Sequence, residues 1–282
     1  MNTTTLRLTL VACAVLPVMA ISQPASATVL FSQGFETDNS GWFTPTRVGS
    51  GGGSLGVTSA SGSFHAEAGG DFTRFGGYNY GAGNVGGVDF IEYKTSVDIF
   101  LDVSGNWAND TRFDFTSAIS NISDGNHLRD FIFSGGFYNS ADNDGPGGGS
   151  DRFVFSASNN SPGWPRNPAR DPFAITTGGW YTFEHHFYDD GGALRVDMNI
   201  LTSGGALANQ WSLSNPGDLI ASGGGVVGGS RYGWFPVNEF SALAIDNSHM
   251  ETRDSTIPEP STALLLGLGM LGAGLIRRKR RS

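Results

Sequence analysis

Of the 282 residues only Cys13 is a cysteine. Everything after the first few turns of chain is therefore without disulfide, thiol nucleophile or thiolate metal centre. Charge is scarce as well. Asp, Glu, Lys and Arg together make up 15% of the chain, below the quarter usual in globular domains, which excludes coiled coils and charge-laced helical bundles. Between residues 28 and 257 Lys94 is the single lysine, and 11 basic residues face 25 acidic ones, a formal charge of −14. A body this acidic is a poor partner for nucleic acid or an anionic membrane surface. No H-E-x-x-H zinc motif occurs. None of the Gly-rich stretches opens a helix, so phosphate cradling is excluded too.

Glycine and aromatics are abundant: 42 Gly, 20 Phe, 7 Tyr and 6 Trp. Many turn formers, ample apolar material and few charges point to an all-β protein. Residues 95–103 alternate with period two, putting Val97, Ile99, Leu101 and Val103 on one face and Ser96, Asp98, Phe100 and Asp102 on the other. Arg112–Thr116, Asp130–Phe133 and Arg152–Ala157 read as shorter, Phe-rich strands. Residues 181–188 and 193–201 flank Asp189-Asp190-Gly191-Gly192, a hairpin turn of type I′ with Asp-Gly at its centre. That register sets Phe187 opposite Leu194 and Phe183 opposite Met198. It gathers Glu184, His186, Tyr188, Arg195, Asp197 and Asn199 on a polar face. The Gly-rich stretches 49–56, 76–87, 145–149 and 223–229 are expected to be loops. The fold expected is a single jelly-roll-like β-sandwich.

The two ends differ from this body. Arg7, an apolar stretch from Leu8 to Ile21 and Ala25-Ser26-Ala27 form a signal peptide over residues 1–27. At the other end Pro258-Glu259-Pro260-Ser261 precedes an apolar run, Thr262–Ile276, and five basic residues, 277–281. This order of motif, short hydrophobic helix and basic stop resembles the PEP-CTERM sorting signal. The resemblance implies export, processing by an exosortase near the motif, and release or attachment outside the cell. Fifteen residues at 1.5 Å rise span roughly 22 Å of a ~30 Å bilayer core. The basic cluster would hold that end in the cytoplasm, leaving a transient inner-membrane anchor. The division expected is signal peptide 1–27, sandwich 28–250, spacer 251–257 and sorting signal 258–282.

Within the body, Phe35-Glu36, Gly41-Trp42 and the closing Ala244-Ile245-Asp246-Asn247 resemble the end strands of exported jelly rolls, including the concanavalin A-like and MAM types. The resemblance implies adjacent first and last strands. It also implies a structural Ca²⁺ where Glu36, Asp38 and Asp246 would converge. A second acidic loop, Asp142-Asn143-Asp144-Gly145, begins like an EF-hand loop but no glutamate follows at the required spacing, leaving an Asx-rich turn as the alternative.

Three functional classes remain. Polysaccharide binding would use Trp164, in the loop Gly163-Trp164-Pro165, with the hairpin's polar residues Glu184, His186, Tyr188, Arg195 and Asp197; Tyr78, Tyr80 and Tyr138 are further loop aromatics. A glycoside hydrolase would need two carboxyls about 5 Å apart. Glu92 and Glu184 are the candidates, as the glutamates expected in strands, although the E-x-D-x-x-E signature of laminarinase-type enzymes is absent. The third class is a matrix protein with no ligand site. His185-His186 is not a metal pair, because neighbouring strand residues point to opposite faces.

Overall fold

The computed structural model describes residues 27–70, 73–74, 89–161, 163–220 and 225–253. Residues 1–26 of the expected signal peptide, the sorting signal, and Tyr78 and Tyr80 lie outside the described residues, while Ala27 is the first residue of the first strand. Two antiparallel sheets stack face to face, and no α-helix occurs among the described residues. No helix among them is long and apolar enough to cross a membrane.

The larger sheet is centred on β5 (Tyr93–Leu101). On one side of it lie β10 (Gly179–Asp190), β11 (Ala193–Thr202) and β12 (Leu207–Leu219). On the other lie β14 (Leu243–Arg253), β3 (Phe64–Ala68) and β2 (Thr46–Gly49). The first strand, β1 (Ala27–Gln33), pairs with β14, so the end strands are adjacent as the jelly-roll resemblance implied. The smaller sheet runs β4 (Thr73–Arg74), β13 (Val227–Asn238), β6 (Thr111–Asn121), β7 (His127–Tyr138), β8 (Arg152–Asn159), β9 (Phe173–Ile175).

Strand alternation explains the core. β5 is buried at every second residue from Tyr93 to Leu101, and β10 buries Phe183, His185 and Phe187. These meet Phe131 and Phe133 of β7 across the gap, with ring centroids 5.4 Å apart for Phe131–Phe187 and 5.3 Å for Phe133–Phe183. Phe113, Phe153 and Phe155 continue the same layer. Gly135 points inward here, and a Cβ on it would sit 2.5 Å from the Phe155 ring. The glycine is what lets two strands of phenylalanines close over one another.

Three sequence expectations are corrected. The hairpin register is shifted by two: Phe187 faces Val196 and Phe183 faces Ile200. Asp189 and Asp190 stay in the ladder, and Gly191-Gly192 alone turns the chain, with φ of +68° and +96°. An even shift leaves every side chain on its expected face. Gly228 and Gly229 belong to β13 rather than a loop, since a Cβ on Gly228 would lie 3.0 Å from the Ile122 backbone. Tyr138 ends β7 and is fully buried rather than exposed in a loop.

Candidate functional site

The outward face of the larger sheet is a continuous polar surface. Lys94 and Ser96 from β5, Glu184, His186 and Tyr188 from β10, and Arg195, Asp197 and Asn199 from β11 all point away from the core. Their strands bury the alternate positions. Lys94 Nζ donates to both Glu184 oxygens, at 3.1 and 3.0 Å. Asn199 Nδ2 donates to Glu184 Oε1 at 2.9 Å, and Gln210 of β12 donates to Asn199 Oδ1 at 2.9 Å. His186 Nε2 lies 2.7 Å from Glu92 Oε1, just before β5. The His186 and Tyr188 rings pack at 5.0 Å, and the Tyr188 hydroxyl donates to Asp197 at 3.4 Å. Ser212 of β12 donates to the same carboxylate and accepts from Arg195 Nε. Burial raises the Tyr188 phenol above its ordinary pKa, with Asp197 adding to the effect.

Sequence reasoning brought six of these residues together, Asn199 among them, but missed Lys94 and Gln210 and the Asn199–Glu184 pairing. The signal for Lys94 was available: it is the body's one lysine and sits in the outward phase of β5. Glu92 lies one residue outside its strand, whereas Glu67 and Glu251 lie within strands. Glu184 was expected beside His186 and Asp197; its partners are Lys94 and Asn199 instead.

Trp164 is not part of this surface. Its loop packs on the outward face of the smaller sheet, where Gly163 N donates to Ser134 Oγ at 3.0 Å and Ser156 Oγ donates to Trp164 O at 3.3 Å. The two outward faces point in opposite directions, so the expected ligand set divides in two.

The acidic groups expected to hold Ca²⁺ accept N–H donors. Glu36 takes the Ser63 and Phe64 amides, Asp38 the Ser40 amide and Gln33 side chain, and Asp246 the Ser61 and Asn247 amides. The Ser40 amide holds the Asp38 carboxyl below its usual range, while burial pushes Asp246 up to about 6. In the second loop Arg166 binds Asp142 Oδ1 at 2.6 Å, and Arg152 reaches the Asp144 carbonyl at 2.7 Å. Guanidinium groups thus occupy this loop. Among the described residues no group of three or more His, Asp or Glu is arranged to hold a metal ion.

Outside the sandwich, the decisive comparison concerns the tail. Residues 256–281 match the PEP-CTERM protein-sorting motif. The PEP-CTERM motif implies an exported protein, transiently anchored in the membrane and processed by exosortase. No curated protein matches the chain. Among solved structures, the CBM2 module of the evolved Dit of Lactobacillus casei BL23 phage J-1 is similar at 10% identity. That alignment covers 82% of this chain and 98% of the module, with a TM-score of 0.37. A likeness at that level fixes neither the details of the fold nor a ligand.

Proposed function

We propose that this PEP-CTERM protein is a non-catalytic polysaccharide-binding sandwich of the cell surface or extracellular matrix. The glycan would lie across the outward face of the larger sheet. The observation that carries this reading is the plane of His186, Tyr188, Arg195, Asp197, Glu184 and Asn199, in which aromatic edges and planar polar groups sit side by side. A sugar offers hydroxyls that both donate and accept and C–H faces that pack on rings, so such a plane suits it on both counts. Export places the body where polysaccharides are found.

Hydrolysis is disfavoured by the partners of the two candidate carboxylates. Both oxygens of Glu184 face Lys94 Nζ, and Glu92 is engaged by His186.

The test is thermal unfolding of the full chain, in mild detergent, across a panel of soluble polysaccharides. A ligand that binds only the folded state raises its stability by about 2.7 kcal/mol at a hundredfold excess over Kd. One glycan should raise the midpoint, and Tyr188→Ala should reduce the rise. No rise with any glycan would leave a structural matrix protein.

A further inference from the structure

The loop carrying Trp164 is pinned at several points. Besides the Ser134 and Ser156 contacts, Asn167 N donates to Trp164 O at 2.9 Å. Pro165 is buried against Gly136, where a Cβ would lie 3.2 Å from the proline ring. Beside the indole, the Arg166 guanidinium sits 5.3 Å from the Trp164 ring and 4.2 Å from the Tyr138 ring, and Asp142 holds it in place. Yet Trp164 remains 44% exposed. A tethered loop with a large indole left in water carries a standing hydrophobic cost, which a ligand covering the ring would remove. The ring is already ordered, so binding there loses little side-chain entropy.

From this we infer that Trp164 is a second glycan contact, on the opposite side of the sandwich from the polar face. One molecule would then bridge two polysaccharide strands. This rests on the polysaccharide-binding reading and extends it. The class of polymer follows from charge: a body with a formal charge of −14 repels polyanions. The partner is an uncharged polysaccharide, whose hydroxyls the polar face can serve and whose ring faces the indole can stack upon. Sites on opposite faces engage separate strands, so each keeps its own affinity and the pair cross-links the polymer.

The experiment uses the full chain in mild detergent with dextran, β-glucan and galactomannan as neutral probes and alginate as a polyanion. Wild type, Trp164→Ala, Tyr188→Ala and the double variant are compared by retention in polysaccharide gels and by light scattering of the mixtures. Circular dichroism and urea midpoints establish that each variant is folded. Wild type should raise scattering with one neutral polymer and not with alginate, and excess protein should reverse the rise. Each single variant should still be retained through its remaining site but raise no scattering; the double variant should not bind. A Trp164→Ala protein that cross-links like wild type overturns the second site and leaves the sheet-face reading standing. Loss of all binding in Trp164→Ala, with Tyr188→Ala unaffected, overturns the sheet-face reading and the bridging with it. No retention by any probe overturns both.

Discussion

His185 offers the sharpest test of the core. Its ring is fully buried among Phe115, Phe133 and Phe187, with centroids at 5.4, 4.8 and 6.1 Å. Nε2–H donates to the Phe131 carbonyl at 3.0 Å, which fixes the neutral tautomer and leaves Nδ1 without a partner. Burial pushes its pKa down to about 3, against about 6.5 in an unfolded chain. The stability tied to its neutral form is therefore complete above pH 6.5 and is lost as pH falls toward 3. Each pH unit inside that window removes about 1.4 kcal/mol, so acidifying from 6.5 to 4 removes about 3 kcal/mol. Asp114 and Asp246, both raised to about 6, act in the opposite sense over much of this range and mask the effect in the wild type alone. The difference between wild type and His185→Phe cancels them. Urea unfolding followed by Trp fluorescence should show the variant gaining about 3 kcal/mol on wild type between pH 7 and pH 4. For a domain of this size that equals a relative rise in midpoint of about 6–12 °C. A difference that stays constant across that interval would show that the ring is not held neutral in the core.

Other outcomes follow from the same contacts. Lys94→Met leaves the partly buried Glu184 carboxylate without its cation and should cost about 1–3 kcal/mol, while Lys94→Met with Glu184→Gln should recover part of the loss in a double-mutant cycle. Arg152 is fully buried and donates to the carbonyls of Pro146, Asp142, Ser150 and Asp144. Arg152→Met should strip its donor from the Pro146 and Ser150 carbonyls, while those of Asp142 and Asp144 keep Gly149 N and Arg166 Nη1, and should cost at least about 3 kcal/mol by urea titration. Gly135→Ala should cost about 1–3 kcal/mol, because the added methyl meets the Phe155 ring. Asp114 is raised by burial, so Asp114→Asn should be more stabilising at pH 8 than at pH 4, by up to about 3 kcal/mol; a pH-independent difference would refute that assignment.

How far these features were legible in the sequence depends on which periodicity reports them. Alternation along residues 95–103 and 181–201 located β5, β10 and β11 and divided their faces correctly, because burial of one face is written directly into period two. It could not settle the turn: Asp189 and Asp190 look like loop residues, yet their side chains sit at the end of the ladder. Nor did it reveal β12 and β13, where Pro216-Gly217, Gly228-Gly229 and Pro236 imitate loop signals. Gly228 is set by the approach of the Ile122 backbone just after β6, which only the folded chain displays. The divided ligand set has the same origin. Trp164 was read as a loop residue from its Pro and Gly neighbours, which says that it is outward but not over which sheet it lies. The amide donors to Glu36 and Asp246 from Ser63 and Ser61 were not legible either, because they lie far away in sequence.

The pairing of β1 with β14 also bears on how the protein leaves its anchor. Ala27 stands opposite Arg253, so both ends of the folded body emerge beside each other. β14 lies between β5 and β3, deep in the larger sheet, and cannot be given up without opening it. A cut within β14 would therefore open the larger sheet and free β1 with it, so the folded body keeps both end strands only if processing falls beyond Arg253.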